Sequence, residues 1–96
     1  MNKETLQKIN NLAKFIFDES EYNKFMKLIV DNEFKARLFL DDYLEGLELE
    51  LRITDNEDIL SQYKKCHELI DIVMNDIINK IDKAYGEGKQ IKQVIR

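Results

Sequence analysis

Cys66 and His67 are the side chains with the richest chemistry in this chain, and they stand side by side. The chain has 1 cysteine and 1 histidine. A closed zinc site takes four ligands, so this pair cannot complete one within a single chain. A cysteine nucleophile needs a general base and an oxyanion site, and the neighbouring residues offer neither. A di-iron bundle site needs Glu-x-x-His pairs, but Lys64 stands three residues before His67. The expectation for His67 is a buried imidazole hydrogen-bonded to a neighbouring helix. At an interface its protonation would tune assembly near neutral pH.

The carboxylates offer a second chemistry. Glu45-x-x-Glu48 is followed by Glu68-x-x-Asp71. This arrangement resembles the magnesium-holding motif of all-α nucleotide pyrophosphohydrolases of the MazG type. The resemblance covers four residues and lacks the leading acidic pair of that motif. It implies magnesium-dependent hydrolysis of a nucleoside triphosphate at Glu45, Glu48, Glu68 and Asp71, in a site built from associated chains. Helical geometry opposes it, because Glu68 points away from the apolar side of its helix and Asp71 lies just beyond that side's edge. No arginine precedes His67 at the spacing of helical ribonucleases, and no glycine-rich phosphate loop exists. The primary expectation is therefore a protein with no catalytic residues, no metal and no cofactor.

A third pattern points to binding. Leu38, Asp42, Glu45 and Leu49 follow one another at helical spacing and form one stripe. Asp41 and Glu48 flank it, and Phe34 lies near its start. The stripe is far around the helix from that helix's main apolar face. Two leucines among carboxylates form a rimmed docking strip for a partner with an apolar ridge and basic edges. The bland alternative is a solvated acidic face whose leucines pack under a neighbouring helix.

The elements that position these residues read clearly. Apolar residues recur at three- and four-residue spacing throughout, and no useful stretch alternates with period two. There are 0 prolines and 3 glycines. The spacing predicts four helices, over about 3–17, 21–30, 33–52 and 55–85. Leu6, Ile9, Leu12, Ala13, Ile16 and Phe17 face inward on the first, while Phe15 projects elsewhere. Tyr22, Phe25, Met26 and Ile29 line the second, which starts at a capping box of Asp18 with Glu21 or at Ser20. The third buries Ala36, Leu40, Tyr43, Leu44, Leu47 and Leu51, with Asp31 and Asn32 capping its start. Gly46 in its interior either permits close packing or a slight bend.

The fourth helix is the spine. From Ile59 to Tyr85 its apolar residues, including Cys66, His67, Ile70, Val73, Ile77, Ile78 and Ile81, fall in an arc roughly 140° wide. Leu69 lies at the margin and Ile72 on the polar side. Thr54 with Glu57 fits a capping box, and Gly86 suits the stop. An arc this wide contacts two or more helices. Either the first two helices cover it, or a second copy does, with Ile78, Ile81 and Tyr85 at a dimer seam.

Charge and composition narrow the partners. The chain has 96 residues, one domain's worth, and a net charge of −4. Residues 41–58 hold 8 acidic side chains against Arg52 alone, a net −7 in a chain otherwise near balance. Lys89, Lys92 and Arg96 in the 87–96 tail are too few for a nucleic-acid footprint. That tail reads as a frayed basic end or as a short helix using Ile91, Val94 and Ile95. A lone cysteine, a polar start and no long apolar run predict a cytoplasmic protein without a membrane span. The abundance of isoleucine, lysine and asparagine fits an AT-rich genome.

The expectation is an all-α, antiparallel four-helix bundle acting as a non-enzymatic, stoichiometric binding protein. An inhibitor, an immunity- or antitoxin-type protein, or an adaptor of a low-GC bacterium, phage or plasmid fits this reading. The partner is a protein with a basic-rimmed surface, met by Leu38, Asp41, Asp42, Glu45, Glu48 and Leu49. The alternatives are the pyrophosphohydrolase and an acidic mimic of nucleic acid, built on 41–58, that inhibits a nuclease.

Overall fold

Side chains that reach back to free backbone N–H groups set the start of each helix. The structure, a computed structural model, describes residues 1–84. Among these residues four helices occur: α1 (Lys3–Ile16), α2 (Glu19–Asp31), α3 (Glu33–Ile53) and α4 (Glu57–Ala84). Asn2 caps α1 by accepting from the Thr5 N–H at 2.7 Å. Asp18 and Glu21 form the expected capping box, so α2 starts at Glu19, two residues before the expected position. Asn32 accepts from the N–H groups of Phe34 and Lys35 and is also the last cap of α2, leaving one residue between two helices. The start of α4 differs from the sequence reading. Asn56, not Thr54, accepts from the N–H groups of Asp58 and Ile59. Thr54 instead closes α3, its N–H donating to the Glu50 carbonyl.

Short connections between long helices make successive neighbours antiparallel. The helix α1 packs on α2 and α4, and α3 packs on the same two, so the four form a closed ring with α2 and α4 on one diagonal. Ile9, Ile16, Phe25, Leu40, Cys66, Leu69 and Val73 are fully buried at its centre. Phe17, just past the end of α1, inserts its ring between Phe25, Phe39 and Tyr43, with centroids 4.8–5.5 Å apart. Such tilted and edge-on pairs add to the area they bury.

The spine is rolled relative to its apolar arc. Leu69, expected at the margin, is fully buried, and Ile72, expected on the polar side, is half-buried. Leu60, Ile78 and Ile81, expected inside, are exposed. The cause is the second neighbour. The α1 helix packs on α4, and Thr5 and Lys8 border a depression there with Ile72 and Asp76. An arc roughly 140° wide cannot face α1 and α3 and also be covered at its far edge. Gly46 shows no close approach either. It is exposed, and a Cβ there would meet nothing within 4 Å.

Candidate functional site

Leu38 and Leu49 lie on the side of α3 that no other described helix covers, 62% and 52% exposed. Asp42 and Glu45 between them are exposed, and Asp41 and Glu48 at the edge are half-buried. The structure therefore brings the expected strip together on one open face. Its carboxylates are not equivalent. Asp41 is held by Arg37 one turn earlier, with Nε 2.9 Å from Oδ1. Glu48 accepts from the Tyr63 hydroxyl at 3.3 Å, across the seam to α4. Burial of the phenol and the nearby Glu48 carboxylate both push the Tyr63 pKa up. Asp42 and Glu45 make no hydrogen bond or ion pair among the described residues. A shallow depression of about 350 Å³ between Asp41, Glu45, Glu48, Leu49 and Arg52 runs along this edge.

The remaining candidates fall elsewhere. His67 is exposed, not buried, and its ring meets Tyr63 edge to face at 4.8 Å. It sits on the edge of α4 that the roll turned outward. Cys66 is fully buried, with Sγ 3.9 Å from the Leu40 carbonyl oxygen. Burial, with a smaller push from Asp41, raises its thiol pKa to about 11, so it is held as the unreactive thiol. Glu68 and Asp71 border a depression with Phe15 and His67, while Glu45 and Glu48 border a different one. The four carboxylates do not converge, and among the described residues no group of three His, Cys, Asp or Glu side chains could hold a metal ion. Of the expected seam, Ile78 and Ile81 are 47% and 44% exposed, and Tyr85 lies outside the described residues. No described helix is long and apolar enough to cross a membrane.

One cluster was not anticipated. Glu33 is 9% exposed, and its Oε1 accepts from the Lys80 ammonium, 47 residues away. Lys80 also pairs with Asp76, Nζ to Oδ2 3.5 Å. Each half of this cluster had a signal: Glu33 is an acid at a helix start, and Lys80 is a base near a helix end. Nothing in either signal says that they meet. Only the antiparallel pairing of α3 with α4 puts the first turn of one beside the last turns of the other.

No protein-family model matches the chain, and no curated protein and no solved structure matches it either.

Proposed function

We propose that this chain is a non-enzymatic binding protein that acts stoichiometrically, as an inhibitor, an immunity- or antitoxin-type protein, or an adaptor. It docks the outer face of α3 on a protein surface rimmed by basic residues. The observation that supports this reading is the exposure of Leu38 and Leu49 on either side of Asp42 and Glu45. These leucines do not pack under α1 or α2, which supports an outside partner as the reason they are apolar. Eleven positions of α-helix separate them by about 16 Å, the reach of a helix laid along the strip. The carboxylates of Asp42 and Glu45, unpaired among the described residues, supply charge that steers and orients a basic-rimmed partner.

The test compares the native chain with the quadruple variant Leu38→Ser, Asp42→Ser, Glu45→Ser, Leu49→Ser as baits against a lysate of the source cells. A protein captured by the native chain is then titrated against both. The expected result is unchanged helicity and an affinity loss of about 100-fold or more, the range of two or three hot-spot residues. Equal affinity for both baits removes α3 as the docking face.

A further inference from the structure

The expected apolar arc of α4 and the buried Glu33 come together at one end of the bundle. A groove of about 420 Å³ opens there between the end of α2, the start of α3 and the last turns of α4. Ile29, Val30, Phe34, Ile77 and Ile81 make its walls, and Glu33 and Lys80 its polar floor. Val30 and Phe34 are 77% and 62% exposed, so the walls are apolar surface facing outward.

Among the described residues two buried acids share the cation of this floor, Glu33 from within the groove and Asp76 from behind it. Glu33 and Asp76 have side chains only 8% and 14% exposed, and among the described residues Lys80 is the one cation within ion-pair distance of either, while Asp76 borders a separate depression with Lys8. Oε2 of Glu33 is covered and has no hydrogen-bond donor among the described residues, and Oδ2 of Asp76, also covered, has only the Lys80 ammonium at 3.5 Å. A buried carboxylate oxygen without a donor is costly, so among the described residues the site is incomplete. A divalent metal is a poor candidate to complete it, because hard cations gather six or more oxygen ligands and an ammonium already stands between these two carboxylates. The apolar walls fit a different ligand, a cation attached to a hydrocarbon.

We propose that this groove receives an arginine or lysine side chain, flanked by an aliphatic residue, from an amphipathic helix of the partner protein. The inference rests on the reading that the chain works by binding a partner, and it extends the docking surface from the α3 strip to the end of the bundle. Phe34 joins the two, one turn before Leu38 on the open side of α3. As the incoming cation takes Glu33, Lys80 swings on its four methylenes to Asp76, and each carboxylate then has its own cation. A second copy of this chain is a worse occupant. Its net charge is −4, and its α3 would bring further carboxylates to an acidic floor.

The test uses the full chain with isotope-labelled isoleucine and valine methyls, and two probes. One is n-hexylguanidinium. The other is an amphipathic peptide of leucine and arginine long enough to lie along α3. Both are expected to shift the methyls of Ile29, Val30, Ile77 and Ile81 saturably. Glu33→Gln should weaken both by about tenfold or more, the cost of one charge-assisted hydrogen bond. Hexanol should shift them far less. Ile81→Ser, at an exposed wall position, gives the same loss without touching the charges and serves if Glu33→Gln does not fold. Peptide binding that leaves these four methyls still overturns the groove while the α3 strip stands. Shifts with n-hexylguanidinium but not with the peptide make the groove a small-cation site and overturn its assignment to a partner. A dimer of the native chain that Ile81→Ser converts to a monomer overturns it in favour of a second copy.

Discussion

Tyr43 donates its hydroxyl to the carbonyl oxygen of Ile16 at 3.3 Å, joining the middle of α3 to the last turn of α1. That carbonyl belongs to the set a helix end leaves without an internal donor. Gln62 on α4 donates to the same oxygen at 3.0 Å. Two lone pairs are thus met by two side chains from two other helices.

This shared acceptor predicts a specific failure of additivity. Tyr43→Phe or Gln62→Leu alone leaves the carbonyl one donor and should cost about 1 kcal/mol. The double variant orphans it and should cost more than the sum of the singles, by about 1 kcal/mol. Urea unfolding of the four chains measures the cycle. A simple sum would mean that water already serves this oxygen.

Gly46 gives a prediction of opposite sign. It stands inside α3 with open space where a Cβ would go. Gly46→Ala should therefore stabilise the fold by about 0.5–1 kcal/mol, through the helix propensity and the less flexible unfolded chain. Thermal melts check this. A loss of stability would mean that the backbone there needs the freedom of glycine.

The two candidate caps between α3 and α4 can be separated. Asn56→Ala removes the acceptor of two N–H groups and should cost about 1 kcal/mol. Thr54→Ala should cost far less, because Thr54 serves through its backbone. The reverse order in denaturant titrations would restore Thr54 as the cap.

Alkali should unfold the bundle in a defined window. Burial, followed by the nearby Glu21 carboxylate, raises the Tyr43 pKa from 10.0 to about 12. Cys66 rises from 9.0 to about 11, through burial first and Asp41 second. Both groups are neutral when protonated, so the unfolded chain gives up these protons at lower pH than the folded one. Their contribution is whole below about pH 9 and is lost as pH climbs through about 11 and then about 12. Melting temperature should hold to pH 9 and then fall, and Cys66→Ala should delay the onset. A flat profile between pH 9 and 11 would contradict the assignment. The thiol should also resist alkylation at pH 8 until denaturant opens the bundle.

Much of this architecture was written locally. Asp18 and Glu21 announce their capping box within four residues, and Ile9, Phe25, Leu40 and Val73 sit on the inward faces that their spacing marks. The exposed stripe of α3 was legible for the same reason, since Leu38 and Leu49 fall on one side of one helix. What escaped depends on neighbours. The apolar arc of α4 says that partners exist, but the position of α1 decides that Leu69 goes in and His67 comes out. Thr54 and Asn56 are both good caps, and the choice falls to Asn56 because α3 runs on to Ile53 and uses Thr54 itself. The Glu33–Lys80 pair spans 47 residues, beyond any periodic signal.

The ring of helices has a consequence for how the chain reaches it. Three of its four seams join helices consecutive in sequence, and each can zip as a local hairpin across a joint as short as the single Asn32. Only the seam between α1 and α4 joins the two ends of the order. Loop-closure entropy therefore falls on one late event, and the topology belongs to the low-contact-order class that folds in microseconds to milliseconds. The same seam is where the ring should first come apart under load, with α1 peeling from α4 while the α3–α4 hairpin, and the exposed strip on it, stays formed.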